Sequence, residues 1–143
     1  MISTKGRYAL RVMIDIGRHS SGAPVPLKDI SKRQGISVKY LEQVAAILSK
    51  AGYIRSVRGN AGGYMLCVNP DKCTVGEVLR VCEGSLAPVA CLKDTQNNCE
   101  RSAYCETLEF WQGLYDVINE YVDSATIQDL IDKANSKNYN YVI

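Results

Sequence analysis

The run from Leu27 to Val68 limits most strongly what this chain can fold into, because two helix patterns and two strand patterns follow each other with turn chemistry at every junction. Pro26 opens the first helix pattern, Leu27 to Gln34, and Gly35 ends it. Ser37 stands where an N-cap is needed. Val38, Leu41, Val44, Ala45 and Leu48 then form the buried stripe of a second helix that runs to about Lys50, with Gly52 as its stop. Two helices joined by a short glycine-containing turn, the second longer and better capped, are the sequence form of a helix-turn-helix. Tyr53 to Val57 reads as a strand, Arg58 to Gly63 as a loop with three glycines, and Tyr64 to Val68 as the returning strand, so a hairpin wing closes the unit.

Charge divides the chain at the end of that run. Residues 1 to 66 hold eleven Lys and Arg against three acids, or +8, whereas residues 67 to 143 hold six against twelve, or −6. A basic half attracts a polyanion and an acidic half repels it, which assigns nucleic acid to the N-terminal half. Side chains on the first turns of the second helix of a helix-turn-helix reach base edges in a major groove. Ser37, Lys39, Tyr40, Glu42 and Gln43 are the exposed set there. Gln43 can pair with adenine, Glu42 can accept from cytosine, and Ser37 and Lys39 suit phosphates or guanine. Arg58, at the root of the wing, can enter a minor groove, and the loop glycines allow backbone to come close to a partner or mark a flexible tip.

The flanking segments complete a mainly α fold with a small β-hairpin wing. Residues 4 to 19 carry Tyr8, Ala9, Val12, Met13 and Ile16 at helical spacing, with Thr4 as N-cap. Thr74-Val-Gly-Glu77 is a capping box for a short helix to Glu83. The longest helix is expected from about Ser102 to Val122 and bears two apolar stripes: Leu108, Trp111, Tyr115, Ile118 and Val122, then Phe110, Leu114, Val117 and Tyr121. One stripe serves the chain's own body. The other calls for a matching helix from a second copy, with Val117 and Ile118 in mid-seam. Thr126 to Asp129 caps a last helix to about Ala134, followed by a polar tail. The chain thus divides into a winged helix-turn-helix DNA-binding domain at 1–83, a cysteine-bearing loop at 84–106, and a dimerisation helix with C-terminal helix and tail at 107–143.

Six cysteines accompany no signal peptide or membrane span, so a cytoplasmic protein without a membrane partner is expected, its thiols reduced or ligating. Cys67, Cys73 and Cys82 fall in a strand, beside a helix cap and within a helix, ordinary places for small buried residues. Cys91, Cys99 and Cys105 instead lie within fifteen polar, loop-like residues, where thiolates can wrap a soft metal or an iron-sulfur cluster. The paired knuckle typical of zinc is missing, which favours a cluster. Catalysis finds no constellation. The one histidine, His19, is far in sequence from every cysteine, and no phosphate-binding loop occurs between a strand and a helix.

Thr4-Lys-Gly-Arg-Tyr-Ala9, Pro24-Val-Pro-Leu27, Gln34-Gly-Ile-Ser37, Tyr40-Leu-Glu-Gln43, Ser56-Val-Arg-Gly59, Gly62-Gly-Tyr64 and the three loop cysteines followed by Trp111 together resemble the Rrf2 family of winged-helix transcription regulators over nearly the whole chain. The resemblance implies a homodimer on a palindromic double-stranded operator, acting as a repressor. It implies a [2Fe-2S] cluster on Cys91, Cys99 and Cys105 that reports cluster supply or redox state to the DNA-binding half, and DNA contacts from Ser37, Tyr40, Glu42, Gln43 and Arg58; with Lys28, Lys39 and Gly59 these make up the expected DNA-binding set. The family's iron-sulfur regulators carry a histidine three residues after the last cysteine. Here that residue is Leu108, which leaves the fourth ligand open, with Glu109, one helical turn from Cys105, as the local candidate. The interval between Cys91 and Cys99 is also two residues longer than usual in those regulators. The C-terminal Tyr139-Asn-Tyr-Val-Ile143 is similar to that of the family's cluster-free cysteine-metabolism repressors, which gives a second functional expectation: a cluster-free repressor of sulfur metabolism, or a thiol-disulfide switch on the loop cysteines.

Overall fold

The computed structural model describes the backbone of residues 1–141 and the side chains of residues 1–137. Its elements are α1 (Thr4–His19), α2 (Leu27–Gln34), α3 (Val38–Lys50), β1 (Ile54–Val57), β2 (Gly63–Leu66), α4 (Val75–Glu83), α5 (Leu108–Ser124) and α6 (Ile127–Tyr141), with a short 3-10 turn at Ala90–Leu92. The strands pair antiparallel with Ile54 opposite Leu66 and Val57 opposite Gly63. Val25 adds a bridge to Tyr64 on the far side of β2, with N–H···O distances of 2.9 Å in both directions. Six helices and this hairpin make a winged helix-turn-helix with a C-terminal helical extension.

Helix α1 is the centre of the molecule. Ala9, Val12, Met13 and Ile16 recur at helical spacing and are fully buried, and α2, α3, β2, α4 and α6 all pack on this helix. Its N-terminus is closed by a distant residue. Ser3, rather than the expected Thr4, holds the N-cap position, and its side chain does not cap the helix. Glu83, the last residue of α4, does so instead: its Oε1 accepts from Ser3 N at 2.8 Å, Ser3 Oγ at 2.7 Å and Gly6 N at 3.2 Å. Burial works against ionisation of this carboxyl, but the bonds from Ser3 and Gly6 hold it below the usual range. A side chain at Gly6 would run into that carboxylate and into Leu79.

Both capping boxes form. Thr74 Oγ1 accepts from Glu77 N at 3.1 Å while Glu77 Oε2 accepts from Thr74 N at 2.7 Å. Thr126 and Asp129 repeat the exchange at 3.1 and 2.9 Å. Several expected boundaries move. The strands are shorter than expected, β1 starting at Ile54 and β2 ending at Leu66, so Cys67 lies beyond the strand and is exposed rather than buried. Val38 begins α3 facing outward, 38% exposed, because the stripe starts only at Leu41. The long helix begins at Leu108, six residues later than expected, since residues 101–107 form turns with no cap and little apolar periodicity. Helix α6 runs on to Tyr141 instead of ending near Ala134, and Arg18 Nε on α1 donates to its Asn135 Oδ1 at 2.9 Å. Val142 and Ile143 of the expected tail lie outside the described residues.

Two wing glycines have a structural cause. A Cβ at Gly62 would meet the Val57 carbonyl oxygen at 2.3 Å, and one at Gly63 would meet the Val25–Pro26 backbone, so both are needed where the chain touches itself. Gly59 differs, with φ +113° and open space around it.

Ile127 and Ile131 of α6 enter the same core as Ile16, Leu48 and Val78. Replacing the fully buried Ile127 with Ala is expected to destabilise the protein by about 2 to 5 kcal/mol, through lost transfer energy and the cavity left behind. Chemical denaturation should show this as one shifted transition. A separate early transition of the C-terminal segment would show that α6 is not integral to the core.

Candidate nucleic-acid interface and cysteine loop

The start of α3 is built by its own sequence. Gly35 adopts φ +66° and donates its N–H to Ser31 O at 2.9 Å, which ends α2. Ser37 is extended and its Oγ accepts from Tyr40 N at 3.2 Å, so the cap uses a lone pair and leaves the hydroxyl proton for a partner. Lys39, Glu42 and Gln43 are i, i+3, i+4 neighbours on one exposed face, opposite buried Leu41, Val44, Ala45 and Leu48. Lys28 on α2 and Arg58 and Gly59 at the hairpin tip are exposed as well. Tyr40 is half-buried, its ring meeting that of Tyr8 edge to face at 5.3 Å between centroids.

Sequence reasoning missed a polar network beneath this face. Asp15 is 1% exposed on the inner side of α1. Its carboxylate accepts from Arg33 Nη2 at 2.7 Å, Arg33 Nε at 3.1 Å and Gln34 Nε2 at 2.9 Å. Gln34 in turn accepts from Arg11, at Oε1 (2.9 Å) and at its backbone oxygen. A buried carboxylate is tolerated only when paired and hydrogen-bonded, and these partners are the last two residues of α2. An acid lodged between the buried Val12, Met13 and Ile16 of α1 was the available signal.

The loop between α4 and α5 holds Cys91, Cys99 and Cys105, all free thiols. Cys99 is exposed and the other two are half-buried. Among the described residues no group of three His, Cys, Asp or Glu side chains converges in a way that could hold a metal, so the structure does not gather these thiols. Their environments still set them apart from the other cysteines. Hydrogen bonding to the Thr107 side chain and backbone, with a further bond from the Leu108 backbone and the nearby Arg101 charge, lowers the Cys105 thiol from its usual range. Burial and the Glu77 charge push the Cys73 thiol up to about 11, and burial raises Cys82 as well. Glu109 is exposed in the first turn of α5. Cys105 precedes that helix, so the expected one-turn relation between the two is absent.

Helix α5 has no buried residue along its seventeen positions. The Leu108, Trp111, Tyr115, Ile118 and Val122 stripe is half-buried against the chain, and Arg80 on α4 ties the helix down through Asp123 (2.8 and 2.9 Å) and Asn119 (3.0 Å). The second stripe faces out, with Phe110 66%, Val117 61% and Tyr121 75% exposed. No helix among the described residues is long and apolar enough to cross a membrane.

The family pattern of Rrf2, described as an iron-dependent transcriptional regulator, matches residues 2–133. The chain is similar to the HTH-type transcriptional regulator IscR of Pectobacterium atrosepticum, 39% identical over 131 residues, which is 92% of this chain and 79% of that relative. Among solved structures it is similar to CymR, the global cysteine regulator of B. subtilis, at 37% identity and a TM-score of 0.76 over 93% of this chain and 97% of the other. It is equally similar to T. potens IscR, at 39% identity and a TM-score of 0.75 over 94% and 88%. Winged-helix geometry, the exposed polar face of α3 and matches at this level agree: the chain belongs to the Rrf2 family and is a DNA-binding transcription regulator, not an enzyme.

Proposed function

We propose that the protein is a homodimeric repressor that reads a palindromic double-stranded operator with α3 and the wing, and that the cysteine loop controls this binding. What carries the DNA-reading part is the polar face of α3, presented to solvent by a capped first turn in the basic half of the chain. Ser37, Lys39, Tyr40, Glu42 and Gln43 would lie along the major groove, Lys28 against phosphate, and Arg58 with Gly59 at the adjoining groove. Gly59, alone among the wing glycines, has open space around it for backbone to approach DNA. Residues 1–83 serve as the DNA-binding unit in this reading, 84–106 as the sensory loop and 107–143 as the dimerisation and C-terminal helices. Replacing Gln43 or Arg58 with Ala should each weaken operator binding by about 1 to 3 kcal/mol. An unchanged footprint for both would refute the assignment.

A second copy is the occupant proposed for the outer face of α5. Phe110, Leu114, Val117 and Tyr121 form a seam along about three turns, long enough to match the same helix from a partner. Ile118 is half-buried on the inner stripe, so Val117 with Leu114 marks the middle of the seam. Leu114→Glu with Val117→Glu is expected to give folded monomers by light scattering and to abolish cooperative half-site binding. A stable dimer of the double variant would contradict the seam.

For the sensor, the loop thiols fit a [2Fe-2S] cluster by donor chemistry: three soft ligands outside the core, one of them biased toward thiolate. Cys91, Cys99 and Cys105 would hold it, with Glu109 or an exchangeable ligand in the fourth place, and when bound it would supply an oxidation-labile centre. Three thiolates and a weaker ligand suit a sensor better than a closed structural site. Leu108, an apolar side chain where the family's cluster regulators have a ligand, favours the second reading, a cluster-free regulator of sulfur metabolism or a thiol-disulfide switch. Anaerobic reconstitution decides between them. Iron and sulfide bound to wild type, lost in Cys91→Ala, Cys99→Ala or Cys105→Ala and kept in Cys67→Ala, is the result expected. Wild-type protein free of both would eliminate the cluster.

A further inference from the structure

We infer that Tyr8 and Arg11 on α1 are positioning residues for DNA recognition, holding Tyr40 and with it the first turn of α3; this rests on the reading of α3 as the DNA-reading helix. The Tyr40 ring meets the Tyr8 ring edge to face, with centroids 5.3 Å apart and planes at 85°. The Arg11 guanidinium lies 5.3 Å from the centroid of the same Tyr8 ring. Its Nε donates to Gln34 Oε1 at 2.9 Å, and its Nη2 donates to the Gln34 backbone oxygen. Gln34 is the last residue of α2. One guanidinium therefore joins a ring of α1 to the end of α2, and that ring joins α1 to the start of α3.

These contacts have a property that the neighbouring apolar core lacks. Burial of Leu41 or Val44 is non-directional as a driving force. Edge-to-face rings, a cation over a ring face and a forked guanidinium each have a preferred geometry, so together they fix an angle as well as a distance. Bidentate pairing with a base edge needs that fixity, because a shift of about 1 Å at the helix start breaks both bonds at once. Tyr40 is pinned twice, its ring by Tyr8 and its backbone N–H by Ser37 Oγ at 3.2 Å. Tyr8 and Arg11 are both half-buried under α2 and α3, and they act through Tyr40 and Gln34 rather than by touching DNA.

The test measures binding by fluorescence anisotropy to two duplexes, one enriched from a random library by the wild-type protein and one scrambled in sequence, each over a range of salt. Tyr8→Leu and Arg11→Met are expected to weaken binding of the enriched duplex by about tenfold. Affinity for the scrambled duplex and the salt dependence should stay as in wild type, and Tyr8→Phe, which keeps the ring, should behave as wild type. Arg11→Met carries the test should Tyr8→Leu fail to fold. A salt slope reduced by about one in Arg11→Met would show a direct phosphate contact and overturn the inference. Unchanged discrimination between the duplexes, or a loss in Tyr8→Phe equal to that in Tyr8→Leu, would overturn it too. Gln43→Ala is measured in parallel. Weakened binding there beside unaffected α1 variants overturns the positioning role alone, and no effect in any of them overturns the reading of α3 as well.

Discussion

The carboxylate of Asp15 sits under the helix-turn-helix with almost no access to water, and the placement of α2 and α3 depends on how it is satisfied. A lone buried carboxylate would cost several kcal/mol, of that order even after relaxation, so the fold must deliver donors to it. Arg33 and Gln34 do this from the last turn of α2. The end of α2, the turn through Gly35 and the cap at Ser37 then follow in sequence, so a requirement on α1 becomes a constraint on where α3 begins. A buried ion pair often adds little to stability beyond what a hydrophobic pair would give. The effect of this one is on registry, since α2 cannot slide along α1 without exposing an unpaired charge.

Helix α1 receives a second constraint from the opposite end. Glu83 closes its N-terminus and is also the last helical residue before the cysteine loop. The loop's point of departure and the start of α1 are therefore held by one carboxylate. Any change in the loop that moves Glu83 acts on the helix against which α2 and α3 are set.

Thiol chemistry follows the same division between core and periphery. Cys73, buried beside Glu77, is held neutral and inert. Cys105, just ahead of α5 and bonded to Thr107, is the thiol eased toward thiolate, and it stands in a segment with few packing obligations. Loops with few buried contacts are where a ligand can rearrange side chains at low cost.

The helix-turn-helix and its wing were legible in the sequence because local rules govern them: Gly35 can take a positive φ, Ser37 can cap, Leu41, Val44 and Leu48 recur at helical spacing, and the Thr74 and Thr126 boxes use partners three residues away. The two stripes of α5 were legible for the same reason, since helical periodicity alone separates the face that packs from the face that does not. Contacts distant in sequence were decided by the tertiary structure. Glu83 caps a helix eighty residues upstream, Asp15 draws in Arg33 and Gln34, Asn135 of α6 bonds to Arg18, and Gly62 and Gly63 are glycines because the wing folds onto Val57 and Val25. Local stereochemistry is written in neighbouring residues, whereas the satisfaction of a buried charge or an open helix end depends on which distant groups the packed core brings within hydrogen-bond reach.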